Sequence, residues 1–197
     1  MRRIVIASNN AGKLREIAAI LAPLDIEIVA QSALGVPEAD EPHPTFMENA
    51  LAKARNAARH TGLPALADDS GICVNALGGA PGVQSARYAG EPKSDARNNR
   101  KLVEALRGNP DRAAYYFAVL VLVDHENDPR PLIAEGVWHG EVIDTPRGAG
   151  GFGYDPYFYL PRFGMTAAEM PPAQKNRVSH RALALHRLAG LLGEVPR

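Results

Sequence analysis

Cysteine is almost absent from this chain, since Cys73 is the one cysteine among 197 residues. A single thiol excludes an internal disulfide framework, and it also excludes a metal site built from several cysteines. An excess charge of either sign is missing as well, because 22 basic residues balance 22 acidic residues. A chain without net charge is a poor candidate for broad, non-specific binding to nucleic acid, so we expect no nucleic-acid partner.

Long apolar runs are also missing. No stretch of 18 apolar residues occurs, so we expect no membrane-spanning segment and no membrane partner. The apolar part of the first residues, 4–7, is too short for a signal peptide. A cytoplasmic protein is therefore the default expectation.

The length of the chain and its 46% of hydrophobic residues are enough for a core of its own, so we predict one domain, 1–197. Apolar patterns predict strands at 4–7, 26–30, 65–67, 72–77, 114–123, 132–143 and 157–160. Helices are predicted at 14–21, 45–60, 94–107 and 173–192. This order predicts an α/β fold with a mixed central β-sheet flanked by helices.

The first strand–turn–helix segment carries a short polar turn that suits phosphate. The turn consists of Ser8, Asn9, Asn10, Ala11, Gly12 and Lys13. A helix amino terminus presents free N–H groups and the positive end of its dipole, and Lys13 adds a full charge. The turn is not a P-loop, since Ala7 replaces the first glycine and Leu14 replaces the hydroxyl residue. A plain turn with asparagine caps explains the local sequence equally well.

Two adjacent aspartates, Asp68 and Asp69, follow a short predicted strand. Neighbouring side chains at a strand end point in different directions, so one carboxylate can hold a metal while the other orients water. Oxygen ligands of this kind favour Mg²⁺ over zinc. An Asx-turn with solvated carboxylates is the commoner fate of Asp-Asp-Ser-Gly, so both interpretations stay open.

Glu41 lies in an acidic loop, and Lys53 lies on the helix that is predicted after this loop. Lys53 shares a helix face with Asn49, which lies four residues earlier. On local sequence alone, a solvated charge run explains Glu41 and a surface helix explains Lys53.

A glycine-rich stretch, 148–156, surrounds the aromatic residues Phe152 and Tyr154. Glycines let the backbone approach a flat ligand closely, and either ring could stack on a base. Asp155 would accept a hydrogen bond from a ring N–H or hold the loop. A hairpin with core aromatic residues explains the same pattern.

The start of the last predicted helix is basic. It carries Lys175, Ser179, His180 and Arg181. Three potential cations within seven residues suit an oxo group or a phosphate, and a solvated basic turn is the alternative.

In combination, these segments resemble the inosine/xanthosine triphosphate pyrophosphatase family along nearly the whole chain. The shared motifs are Ser8-x-Asn10-x-x-Lys13, Phe46-x-Glu48-Asn49-Ala50-x-x-Lys53-Ala54, Ala67-Asp68-Asp69-Ser70-Gly71, Leu77-Gly78-Gly79-Ala80-Pro81-Gly82, Gly151-Phe152-Gly153-Tyr154-Asp155-Pro156 and Lys175-Asn176-x-x-Ser179-His180-Arg181. Asn9 departs from the pattern, since a smaller residue is common at that position.

The resemblance implies an elongated mixed sheet, two lobes with a nucleotide cleft between them, a homodimer and Mg²⁺ as cofactor. The implied reaction is hydrolysis of deaminated purine nucleoside triphosphates, namely ITP, dITP and XTP, to the monophosphate and pyrophosphate. Such an enzyme would cleanse the nucleotide pool.

Roles for individual residues follow from the same resemblance. The turn 8–13 would cradle the triphosphate, and Lys53 would neutralise it. Glu41 and Asp69 would hold Mg²⁺, and Asp69 would also be the general base, with Asp68 beside it. Substrate contacts are implied for Ser70, Phe152, Gly153, Tyr154, Asp155, Lys175, His180 and Arg181. Donors from the last three aimed at the 6-oxo group would reject adenine, whose amino group is itself a donor.

Three other functions fit the motifs less well. A related pyrophosphatase for modified pyrimidine or 7-methylguanine nucleotides is disfavoured by the segments 152–155 and 179–181. A nucleotide sensor without turnover would gain little from Glu41, Asp68 and Asp69. A phosphotransferase built on the first turn is disfavoured by Leu14.

Overall fold

Seven strands form one sheet in the computed structural model, which describes residues 2–23 and 26–194. The strands are β1 (Arg2–Ile6), β2 (Ile26–Ala30), β3 (Ala65–Val74), β4 (Ala113–Val123), β5 (Leu132–Val142), β6 (Phe158–Leu160) and β7 (Met165–Thr166). Their order in the sheet is β2-β1-β3-β4-β5-β6-β7. β1 pairs in parallel with β2 and β3, whereas β6 pairs antiparallel with β5 and β7, so the predicted mixed sheet is confirmed.

The described residues form five α-helices, and the first three begin at capping side chains. They are α1 (Ala11–Leu21), α2 (Phe46–Thr61), α3 (Asp95–Ala105), α4 (Pro172–Val178) and α5 (His180–Glu194). The Thr45 hydroxyl accepts the Glu48 N–H at 3.3 Å and donates to the Glu48 carboxylate, so the predicted cap of α2 is confirmed. Ser94 caps α3 by accepting the N–H of Arg97 at 3.4 Å.

The chain divides into two compact units. Unit 1 comprises Met1–Asp69, Ala118–Gly136 and His180–Arg197, and unit 2 comprises Ser70–Phe117 and Val137–Ser179. In unit 1, Ile17 of α1 and Leu185 of α5 are fully buried against apolar side chains of β1, β3 and β4. This packing holds α1 and α5 against the same core as β3, the strand that contains the two aspartates.

Unit 2 has a core of its own, rich in aromatic rings. The ring of Phe158 lies 4.6 Å from that of Tyr116 and 5.6 Å from that of Trp138, between centroids. Leu102 and Leu106, at the end of α3, are fully buried in the same core. Aromatic rings in such tilted and edge-on contacts add to the stability supplied by their burial. The core therefore gives α3 and the glycine-rich stretch a firm support.

The structure corrects the prediction of two strands at 65–67 and 72–77. One strand, β3, runs through both and through the aspartates between them, and a short 3-10 helix, Asn75–Leu77, follows it. An Asx-turn at this place is therefore wrong. Charged residues fit inside a buried strand only where partners neutralise them, and local sequence does not reveal those partners.

The last predicted helix, 173–192, is two helices. Ser179 has an extended backbone conformation, with φ −70° and ψ 160°, which ends α4, and α5 begins at the next residue. Serine competes with the helical backbone for hydrogen bonds, so a break at this residue has a local cause. The two-residue strand β7 has no counterpart among the predicted strands.

Within the described part of the chain, no helix has the length and apolar character that crossing a bilayer requires. The α/β fold class is confirmed. A single domain 1–197, the two lobes and the cleft stay predictions.

Candidate active site

Asp68 is the centre of a buried cluster of charges in unit 1. Its Oδ1 lies 2.5 Å from the Nζ of Lys13, and its Oδ2 accepts a hydrogen bond from the Nε of Arg181 at 3.0 Å. Arg181 also donates through Nη1 to Glu16. The side chain of Asp68 is fully buried, and that of Arg181 is 2% exposed. Residues from α1, β3 and α5, which are far apart in the sequence, therefore meet at one place.

The cations around Asp68 decide its protonation state. Burial alone would raise the pKa of Asp68, but Arg181 and then Lys13 hold it well below its usual value. The pKa of Lys13 is lowered, because burial outweighs the attraction of Asp68. Asp68 is thus a fixed negative charge, and it is unsuited to accept a proton during a reaction.

Lys53, on α2, joins the second aspartate to the acidic loop. Its Nζ lies 2.7 Å from Oε1 of Glu41 and 2.9 Å from Oδ1 of Asp69. Successive side chains of a strand point to opposite faces, so Asp69 reaches Lys53 while Asp68 reaches Lys13. Although burial would lower it, the pKa of Lys53 is raised by Asp69 and Glu41, so the ammonium stays charged.

Asp69 differs from its neighbour in both pKa and hydrogen bonding. Burial raises its pKa, repulsion from Glu41 adds to this, and the attraction of Lys53 and Lys13 only partly offsets it. Its Oδ2 is buried and has no hydrogen-bond partner among the described residues. A carboxylate that has a raised pKa and one oxygen without a hydrogen-bond partner is suited to take a proton from water.

The polar turn before α1 is held by its own side chains. Oδ1 of Asn10 accepts the N–H groups of Gly12 and Lys13 at 2.9 and 3.2 Å, and the hydroxyl of Ser8 accepts the N–H of Asn10 at 3.2 Å. The predicted free N–H groups of Gly12 and Lys13 are therefore already capped, as the alternative interpretation of the turn expects. An anion here meets the dipole of α1, which begins at Ala11, beside the ammonium of Lys13.

Asn9, in the same turn, contacts the acidic loop. Its Nδ2 donates to Oε1 of Glu38 at 3.0 Å, and its Oδ1 accepts from Nε2 of Gln31 at 3.2 Å. A smaller residue at this position would lack both contacts. Asn9 thus connects the polar turn before α1 to the loop that carries Glu41.

Glu41 and Asp69 are the candidate metal ligands. Within residues 2–23 and 26–194, no three His, Cys, Asp or Glu side chains cluster in a way that could hold a metal ion. The two carboxylates do approach each other, since both contact the ammonium of Lys53. Proteins commonly hold Mg²⁺ by one or two carboxylates together with waters and substrate phosphates. The residues present fit a Mg²⁺ ion that arrives with a phosphate ligand, and they do not fit a permanent structural metal.

In unit 2, Asp155 organises the glycine-rich stretch. Its Oδ2 accepts the N–H of Phe152 at 2.9 Å and a hydrogen bond from Nζ of Lys175 at 2.7 Å. The same Nζ lies 5.1 Å from the centroid of the Phe152 ring, which is a cation–π distance. A Cβ on Gly151 would lie 2.0 Å from Oδ2 of Asp155, so only glycine fits there. Of the two roles that the sequence leaves open for Asp155, holding the loop is the one seen.

The other predicted site residues have mixed surroundings. Tyr154 is buried, and its hydroxyl donates to the carbonyl of Ser85 at 2.7 Å, so it is a core anchor of the loop. Ser70 follows Asp69 within β3 and is partly exposed. Ser179 and His180 are buried at the junction between α4 and α5 in sequence.

Several residues that shape these clusters are missing from the sequence-based prediction. They are Glu16, Gln31, Glu38, Asp95 and Asn99. Glu16 had a usable signal, since it lies three residues after Lys13 and so shares a face of α1. The contacts of Asp95 and Asn99 with the glycine-rich stretch span more than 50 residues and had none.

Comparison with known proteins places these clusters in a family. A sequence profile of the Ham1 family matches residues 4–191. The chain belongs to the Ham1 family. The family that the motifs predict is thereby confirmed, and so is the prediction of an enzyme with pyrophosphatase activity.

Relatives and solved structures of the Ham1 family match this chain over most of its length. A protein of Nitrosomonas europaea named dITP/XTP pyrophosphatase is 68% identical over 194 residues, covering 98% of this chain and 96% of that protein. One of Bordetella pertussis with the same name is 66% identical over 191 residues, covering 95% of this chain and 90% of that one. The structure of a HAM1 protein from Coxiella burnetii has a TM-score of 0.93 at 50% identity, covering 99% of this chain and 100% of that chain.

Proposed function

We propose that this chain hydrolyses dITP and XTP, and ITP with them, to the nucleoside monophosphate and pyrophosphate. The observation that carries the proposal is the buried carboxylate of Asp69, whose Oδ2 has no hydrogen-bond partner among the described residues and whose Oδ1 lies 2.9 Å from the Lys53 ammonium. The names of the relatives, which share about two thirds of their residues with this chain, support the choice of substrates.

In the proposed reaction, Asp69 is the general base. Its Oδ2 takes a proton from water as the water oxygen bonds to phosphorus, and the bond to the pyrophosphate group breaks. Lys53 keeps the other oxygen of Asp69 in place at 2.9 Å. Asp68 does not exchange protons, because Arg181 and Lys13 keep it ionised, and it positions the Lys13 ammonium for the phosphates.

Charge balance supports the proposal of Mg²⁺ as cofactor. The cluster in unit 1 contains three cations and four carboxylates, which are Lys13, Lys53, Arg181, Glu16, Glu41, Asp68 and Asp69. A triphosphate brings about four further negative charges, so this set needs added positive charge. Glu41 and Asp69 would hold the ion, and bound Mg²⁺ would offset charge on the phosphates.

We assign recognition of the base to the glycine-rich loop of unit 2. The Phe152 ring offers a flat apolar face, and the ammonium of Lys175 beside it is a donor for a 6-oxo group. Adenine presents a donor at the same position, and two facing donors leave both unsatisfied. Arg181 donates to Asp68 and Glu16, so its proposed role is to position Asp68. Direct contact of His180 with the base stays a prediction.

Substrate specificity tests this proposal. Pyrophosphate release is measured with dITP, XTP, ITP, GTP and ATP, each with Mg²⁺ and with the chelator EDTA. We expect the three deaminated substrates to exceed ATP in kcat/KM by roughly 10⁴-fold, and we expect chelation to abolish turnover. Cleavage of ATP or GTP as fast as dITP would contradict the assignment of substrates, and full activity in EDTA would contradict the role of Mg²⁺.

We further propose that the enzyme is a homodimer of the cytoplasm, as the family resemblance implies. Light scattering on the purified chain measures the first property, and fractionation of the source cells measures the second. A monomer at micromolar concentration would contradict the dimer.

A further inference from the structure

The peptide group of Gly153 is held from both sides by α3. Its N–H donates to Oδ2 of Asp95 at 2.8 Å, and its carbonyl accepts from Nδ2 of Asn99 at 2.9 Å. Asp95 and Asn99 are four residues apart, so they lie on the same face of α3. We call this pair of residues the α3 clamp.

The clamp acts next to a second fixed peptide. The N–H of Phe152 donates to the carboxylate of Asp155, and that of Gly153 donates to Asp95. Two consecutive backbone donors are therefore occupied by carboxylates of the protein itself. The Phe152 ring, which the proposed function assigns to the base, is carried by this segment, so its direction depends on the two peptides that are held.

One member of the clamp, Asp95, is exposed, and the other is buried. Asn99 is 6% exposed, and its Nδ2 also donates to the backbone carbonyl of Asp95 at 2.8 Å, which couples the two members. The hydrogen bonds of Asp95 and Asn99 with Gly153, each between residues more than 50 positions apart, hold a glycine with a positive φ of 64°, a residue whose backbone is otherwise conformationally permissive.

We propose that Asp95 and Asn99 are positioning residues for purine recognition, which act by fixing Gly153 and thereby the Phe152 ring. The inference rests on the proposed function, in which Phe152 contacts the base. The clamp belongs to unit 2, whereas the charged cluster around Asp68 and Asp69 is built from residues of unit 1. Loss of the clamp should therefore weaken nucleotide binding and leave the chemical step intact.

Steady-state kinetics with dITP provides the first test. For Asp95→Ala and Asn99→Ala we expect KM to rise about tenfold while kcat stays within about twofold, as loss of one such hydrogen bond predicts. Asp95→Asn keeps an oxygen that accepts the Gly153 N–H, so the KM of this variant should stay close to that of the wild type. Asp111→Ala is the matched control, because Asp111 is an exposed aspartate of the same unit that accepts a backbone N–H from its own segment, that of Ala113.

Hydrogen–deuterium exchange of peptides covering 148–156 provides a second readout that needs no activity. We expect faster exchange at Gly153 in Asp95→Ala, and wild-type exchange in Asp95→Asn and Asp111→Ala. Unchanged exchange would overturn the clamp, and faster exchange with an unchanged KM would overturn its role in recognition. A wild-type chain that fails to hydrolyse dITP would overturn the proposed function, and the exchange result would then still decide whether the clamp exists.

Discussion

Replacement of Asp68 by asparagine should destabilise the protein strongly. The substitution Asp68→Asn keeps the size of the side chain and one accepting oxygen, so it removes the negative charge and replaces the second acceptor with an amide donor. Asp68 is fully buried between the ammonium of Lys13 and the guanidinium of Arg181. After the change, two buried cations lie close together without the carboxylate between them, and Arg181 keeps its ion pair with Glu16.

The expected cost is about 3–5 kcal/mol, which is typical when one partner of a buried ion pair is removed. We expect the lower end of this range. The pKa of Lys13 is already lowered by burial, so this group can lose its proton once Asp68 no longer attracts it. In a chain of this length, about 3 kcal/mol corresponds to a fall of roughly 6–12 °C in Tm.

Urea unfolding of four proteins measures this effect. They are the wild type, Asp68→Asn, Lys13→Met/Asp68→Asn and the control Asp111→Asn, whose carboxylate is at the surface of unit 2. The double variant removes the Lys13 ammonium, which has lost its partner carboxylate, so it should be more stable than Asp68→Asn alone. A free energy of unfolding for Asp68→Asn within about 1 kcal/mol of the wild type would refute the reasoning, as would a double variant less stable than the single one.

Three other changes test separate parts of the molecule. Asp69→Asn should lower kcat by at least about 10²-fold and leave nucleotide binding, measured by calorimetry, in place; an active variant would remove Asp69 as the base. Gly151→Ala should raise the KM for dITP far more than Gly153→Ala does. Both glycines have a positive φ, but only a Cβ on Gly151 would clash with Asp155, at 2.0 Å. Equal effects on KM would contradict the role of that clash. Burial, and then the Asp155 carboxylate, raise the pKa of Tyr116 well above its ordinary value. The contribution of Tyr116 to the free energy of unfolding is therefore complete below about pH 10, the ordinary pKa of tyrosine, and it decreases as the pH rises beyond that value. Tyr116→Phe should flatten that fall in urea unfolding, and an unchanged pH dependence would show that another group causes it.

Local signals in the sequence located much of the fold. Thr45 and Ser94 have the side chains that a helix cap requires, and both cap a helix in the structure. The strand predicted at 26–30 has those bounds. Each of these features depends on interactions between residues close in the chain, which pattern and propensity describe well.

The failures of prediction share a different cause. The aspartates of β3 suggested a turn, because charged side chains fit inside a buried strand only where partners neutralise them. Those partners come from α1, α2 and α5, which local sequence does not reveal. Contacts of Arg181 with Glu16, 165 residues away, and of Asn99 with Gly153 leave no trace in local sequence. The resemblance to a family supplied the identities of most candidate site residues, but it did not show which of them hold others in place.

Identification of the products of dITP hydrolysis tests the central claim most directly. The chain is incubated with dITP and Mg²⁺, and the reaction is followed by phosphorus NMR. We predict dIMP and pyrophosphate in equal amounts, with no orthophosphate formed. Appearance of dIDP and orthophosphate, or no reaction at all, would contradict the claim that this chain is a pyrophosphatase for deaminated purine nucleotides.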